Sequence, residues 1–232
     1  MTPPLGTGRR SRPLTWFALA AAAVGLALVL VAVLTRHDPA PDLDGPVGTL
    51  PDASSSQAPK AAVPDVEPAK QVPLGPSEPI EIEIPAIGVE SDVFAIGKTA
   101  DGALAVPQPG PNLDKAAWFE NSPTPGQPGP AIIEGHVATE ESGPSIFYDL
   151  ADLRPGDDVR VARQDGTVAV FTVDALREFD KSAFPTQLVY GGDLSQPTLR
   201  LITCSGFDPS VGRHTGNLVV FASLDRVQGR TQ

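Results

Sequence analysis

Thr198-Leu-Arg-Leu-Ile-Thr-Cys204 is the stretch on which the fold turns. Leu199 and Leu201 alternate with Arg200 and Ile202, the period of two of an extended segment with one face on a core. Arg200 is therefore expected to point away from that core. Moving outward, the same pattern recurs. Ile80-Glu-Ile-Glu-Ile84 alternates strictly up to Pro85, and further strand-like runs cover 89–96, 104–106, 131–137, 158–162, 167–173, 199–203 and 217–223. Turn signals separate them at Asp101-Gly102, Pro155-Gly156, Asp165-Gly166 and Gly191-Gly192. Asp165-Gly166 between two alternating runs is a hairpin signal. Helical spacing is confined to 145–153 and 182–190. The class is all-β, a sandwich or a closed barrel.

The chain has 232 residues, a formal net charge of -11 and a pI of about 4.6. Such a surface repels polyanions, so no nucleic-acid partner is expected. Arg9, Arg10 and Arg12 precede an uncharged apolar run over 14–34, long enough to cross a bilayer as one helix. With basic residues staying inside, residues 1–13 read as a cytoplasmic tail, 14–34 as a single transmembrane anchor in membrane lipid, and the remainder as extracellular. Arg36 and His37 weakly oppose that orientation. A cleaved signal peptide fits less well, because the run is too long and no Ala-x-Ala closes it. Residues 35–79 are rich in Pro, Ala, Asp and Ser and lack aromatics. They read as a disordered, semi-extended linker. The domain then covers 80–226, with a short tail at 227–232.

Cys204 is the only cysteine, so it cannot form an internal disulfide. In an exported domain such a thiol is either buried or reactive. His136 follows the apolar run Ala131-Ile-Ile-Glu-Gly135, where Gly135 would let the backbone turn and present the ring. His214 lies in the loop after the cysteine and could serve as the base instead. Arg213, in the same loop, is a permanent cation with donors for an oxyanion or a substrate backbone. Spacing alone also allows a buried apolar thiol, a loop histidine and a solvated arginine. Trp118 and Phe119 read as core-filling residues. No zinc spacing is present, and neither metal nor cofactor is expected. The acidic residues near the histidine, Glu134, Glu140, Glu141 and Asp149, lack the regular spacing of a calcium loop.

The motifs taken together resemble those of the sortase family. Ala117-Trp-Phe-Glu-Asn-Ser-Pro-Thr-Pro-Gly126 through Ala131-Ile-Ile-Glu-Gly-His-Val137 is similar to the family's histidine region. Gly143-Pro-Ser-Ile-Phe-Tyr-Asp-Leu150 and Leu153-Arg-Pro-Gly-Asp157 continue the match, and Leu201-Ile-Thr-Cys204 resembles its cysteine strand. The likeness runs from about 80 to about 225 and is greatest to class F, the actinobacterial group. It implies a closed eight-stranded β-barrel with short helices in its loops. It also implies a cysteine transpeptidase that cleaves a Leu-Pro-x-Thr-Gly-like sorting signal between Thr and Gly. The thioacyl-enzyme then passes to an amine on a peptidoglycan precursor, so the partners are surface proteins and that amine. Cys204 matches the nucleophile, His136 the histidine, Arg213 the arginine, and Thr203 the substrate-binding threonine. Arg213 departs from the pattern: the family's arginine lies directly before the last strand, where this chain has Thr215-Gly-Asn217. No lid segment or second membrane span is expected, which argues against the pilin-polymerising sortases.

An L,D-transpeptidase-like acyltransferase would need a Ser-x-Gly-Cys-x-Arg context, which is absent. A non-catalytic tethered binding domain would tolerate Cys204→Ala. For an enzyme, the imidazole acts either as a general base or in a preformed thiolate–imidazolium pair. With unperturbed groups only on the order of a percent of molecules would hold both charges at pH 7.

Overall fold

A computed structural model describes residues 40–43, 45–50, 72–100 and 102–229. The expected transmembrane anchor (14–34) and the cytoplasmic tail lie outside the described residues. Among those described, no helix is long and apolar enough to cross a membrane.

The strands are β1 (Val47–Gly48), β2 (Pro79–Ile84), β3 (Val89–Ile96), β4 (Ala116–Phe119), β5 (Gly129–Glu134), β6 (Ala138–Thr139), β7 (Gly143–Pro144), β8 (Asp158–Arg163), β9 (Thr167–Asp180), β10 (Pro197–Asp208) and β11 (Arg213–Gly229). Eight of them form one sheet in the order β9-β11-β10-β5-β4-β3-β2-β8, and β8 pairs back onto β9 to close the barrel. β3–β4 and β5–β10 are parallel, and the other neighbours run antiparallel.

Alternation then sorts the side chains. Ile82 and Ile84, Trp118, Ile133, Phe171, Leu199, Leu201, Leu218 and Val220 fill the interior. Their neighbours Phe119, Ile132, Ile202, Val219 and Phe221 form a second apolar cluster on the outer face. The segment after β9, a 3-10 turn (Lys181–Ala183) followed by the short helix α1 (Thr186–Tyr190), covers that cluster with Phe184 from between the two and Val189 and Tyr190 from the helix. Trp118 and Phe119 both fill core clusters, as expected: Trp118 lies inside the barrel and Phe119 in the outer cluster, edge-on to Tyr190 at 6.3 Å. Arg200 does point away from the interior, yet it is buried, its guanidinium stacked 4.6 Å from the Phe221 ring. Burial pulls its pKa down to about 10.

Several expectations change. Helix does not form over 145–153, where the only helical element is a 3-10 turn, Leu150–Asp152. Phe147, Leu150 and Leu153 still reach the core from there. The run at 104–106 contributes a single bridge, Leu104 to Lys98. β10 and β11 form a longer hairpin than expected, so Arg213 and His214 are strand residues and β11 enters the expected tail at 227–229. Asp208 stabilises the turn by accepting hydrogen bonds from Ser210 N at 2.8 Å and Ser210 Oγ at 2.6 Å.

Two described parts of the stretch expected as a linker, around Val47 and around Gly75, are held against the barrel. Val47 and Gly48 pair with Leu176 and Ala175 of β9. Arg177 holds them there, donating to Val47 O at 2.6 Å and Gly48 O at 2.8 Å. Pro-rich composition did not prevent this, because an edge strand of two residues requires little apolar surface. At the other end, the buried Arg163 donates to Gly75 O at 2.6 Å, to Pro125 O at 2.9 Å and to Asp165 Oδ2 at 3.0 Å. Burial lowers the Arg163 pKa, and Asp165 opposes that shift.

Arg163→Ala would leave those carbonyls without a donor. We expect it to cost about 3–5 kcal/mol in denaturant unfolding and to speed amide exchange in residues 72–78.

Candidate active site

The parallel pairing of β5 with β10 positions the chemistry. Ile202 stands opposite Glu134, and the offset places residue 136 level with residue 204. Two bonds carry the pairing past the end of β5. Gly135 N donates to Ile202 O at 3.2 Å, and Thr203 Oγ1 donates to Gly135 O at 2.9 Å. Thr203 therefore ties the histidine strand to the cysteine strand through its hydroxyl, and it is buried. Gly135 serves close packing: an added Cβ would lie 2.6 Å from Ile146 Cγ2 and 2.8 Å from Phe147 Cδ2. The turn-making role expected for this glycine is not what the position requires, since its φ is not positive.

Cys204 is half-buried and opens on a cavity of about 870 Å³. Arg213, His214 and Thr215 of β11, Lys181, and Glu140 from the β6–β7 hairpin share its lining. Asn217 is the ladder partner of Cys204, and Arg213 and Thr215 follow at steps of two, which puts all three on the cysteine's face. An arginine four residues before Asn217 thus still reaches the cavity. Asp114 braces the β6–β7 wall by accepting from Ser142 Oγ at 2.8 Å and Ser145 Oγ at 2.6 Å.

The two histidines differ. His136 is not among the residues lining that cavity; its Nε2 lies 2.9 Å from Pro107 O. A carbonyl can only accept, so Nε2 carries the proton in this contact. His214 lines the cavity and meets Phe207 edge-on at 5.4 Å. Its pKa is lowered, first by burial and then by the charge of Lys181, against weaker upward pulls from Ser205 and Asp42.

Lys181 is the residue that sequence reasoning passed over. Its Nζ lies 3.5 Å from Cys204 Sγ. Among the described residues no three of His, Cys, Asp or Glu converge on one point.

Glu134 instead stands out by burial. It is 6% exposed, its Oε1 lacks a hydrogen-bond partner, and desolvation pushes its pKa up to about 8. Tyr190 is close enough that the Glu134 charge would raise the phenol's pKa, after burial itself.

Residues 82–225 match the model of the Sortase domain. The chain belongs to the sortase family, whose members are cysteine transpeptidases. Similar solved structures include sortase A from Listeria monocytogenes, at 19% identity and TM-score 0.49, covering 66% of this chain and 92% of that one. Sortase A from Corynebacterium diphtheriae matches at 20% identity and TM-score 0.49, over 64% and 61%. A Clostridium perfringens sortase D5 matches at 23% identity and TM-score 0.45, over 62% and 76%. No curated protein sequence matches.

The raised Glu134 pKa has a definite sign. The native state holds this proton up to about pH 8, while the unfolded chain releases it near 4.3. Folding in that window takes up a proton, so stability is greatest below it and declines as pH rises through it. We expect Glu134→Gln to flatten the decline, by on the order of 1–3 kcal/mol between pH 5 and 8, as read by urea melts at each pH.

Proposed function

We propose that this protein is a membrane-anchored sortase of the class F type. It would cleave a Leu-Pro-x-Thr-Gly-like sorting signal between Thr and Gly and transfer the surface protein to a cell-wall amine. The observation that supports this reading best is Cys204 opening on a cavity with Arg213, while His136 follows two residues after the end of the neighbouring strand β5.

In this scheme the Cys204 thiol proton passes to the His136 imidazole, and the thiolate attacks the threonine carbonyl carbon. An S–C bond forms, and the carbonyl electrons move to an oxyanion that Arg213 stabilises. Collapse breaks the C–N bond, and His136 donates a proton to the departing glycine amine. His136 must first give up its contact with Pro107 O. The second half runs in reverse: an incoming amine attacks the thioester, loses a proton to the imidazole and releases the thiolate. Thr203 acts through its bond to Gly135 O, and thus by holding the histidine strand in register.

Residues 14–34 would anchor the chain in the membrane with the barrel outside, where sorting signals and the cell-wall precursor meet. Separation of membrane and soluble fractions tests the anchor, and protease access to intact cells tests the orientation.

Incubating the full chain in detergent with a panel of five-residue sorting peptides should yield an acyl adduct on Cys204 by mass spectrometry. Cys204→Ala should abolish it. Arg213→Ala should slow it by about 10²–10³-fold, and His136→Ala by about 10²–10⁴-fold. Loss in His214→Ala alone would transfer the imidazole role to that residue.

A further inference from the structure

We propose that Lys181 is a catalytic residue, its ammonium stabilising the Cys204 thiolate by direct contact across the cavity. The inference rests on Cys204 being the nucleophile, and it adds a fourth group to the cysteine, histidine and arginine that the family motif supplies.

The placement is built into the sheet. Lys181 follows directly on Asp180, the last residue of β9. Asp180 is paired with Gly216 of β11, and the next residue of β11, Asn217, is paired with Cys204 of β10. Three hydrogen-bonded strands therefore fix the lysine's backbone relative to the sulfur. The side chain spans the remaining gap, leaving Nζ 3.5 Å from Sγ, within the range of a charge-assisted N–H···S contact.

The other cations near the sulfur are less well placed to do this. His136 commits its Nε2 to Pro107 O. His214 is held toward its neutral form by burial and by Lys181 itself. Arg213 lines the same cavity, but it enters from the far end of the hairpin, opposite Asp208. The remaining charged groups around the cavity are Glu140 from the β6–β7 hairpin and Asp180 beside the lysine, with Asp42 acting on His214 from the upstream segment. Among the described residues none of these three carboxylates forms an ion pair with Lys181. The ammonium is thus available to the sulfur.

Chemically the lysine acts as a charge and not as a proton donor. It favours loss of the thiol proton to solvent or imidazole, and then weakens its hold as the sulfur charge passes into the S–C bond. The proton needed by the leaving amine still comes from His136.

The test is the pH profile of Cys204 alkylation by iodoacetamide in the full chain, for wild type, Lys181→Met and Lys181→Arg. Thermal melts confirm that each variant is folded, and Cys204→Ala serves as the blank. Lys181→Met should react about 3–10-fold more slowly near pH 7. It should converge on wild type near pH 10, where thiols ionise unaided. Lys181→Arg should stay close to wild type, and high salt should shrink the difference. Superimposable wild-type and Lys181→Met profiles would overturn the proposal. So would a slowing that persists unchanged at pH 10, which would mean altered access to the sulfur. Peptide adduct formation by the wild type is scored separately. A shifted profile without any adduct keeps the lysine and removes the transpeptidase reading; an adduct with superimposed profiles does the opposite.

Discussion

The parallel register of β5 against β10 is the constraint on which the site depends. A slip of one residue would send every alternate side chain to the opposite face. Leu199 and Leu201 would leave the interior, and Cys204 would turn inward. The register is locked from both sides, by the interior packing of Ile133 with Leu199 and Leu201 and by the Thr203 hydroxyl on Gly135 O. Barrel closure through β8 and β9 then removes the freedom of a sheet edge to drift.

The outer face of these strands is a second layer of design. Ordinary barrels leave that face to water. Here α1 and its flanking turn pack against the cluster of Ile132, Ile202 and Phe221, and Glu134 and Arg200 are buried as well. The same segment begins at Lys181, so the polypeptide that seals this layer also delivers a cation to the sulfur. Packing and chemistry share one short stretch, 181–190.

Much of this was legible in the sequence, and the exceptions have physical reasons. Strands that bury one face announced themselves by alternation, as in β2 and β3. β4 did not, because Ala116-Ala-Trp-Phe119 is buried on both faces and shows no period. The apolar spacing of Phe147, Leu150 and Leu153 resembled a helix, although it serves a chain that winds through turns into the core. Cys204, His136 and Arg213 were singled out through family motifs; the hairpin register puts Cys204 and Arg213 on one face, whereas His136 does not line their cavity. Lys181 was not, since a lysine at a strand end, 23 positions from the cysteine, reads as a solvated charge.

The lip of β9 has one more consequence. Beyond Phe171 and Thr172, where β8 stops pairing, β9 continues to Asp180 with its outer backbone groups facing no barrel strand. Such a rim is adhesive: a neighbouring copy could zip onto it through main-chain hydrogen bonds. Val47 and Gly48 occupy part of that rim from within the same chain. The molecule thereby covers part of its own margin, and that part is closed to pairing with another copy.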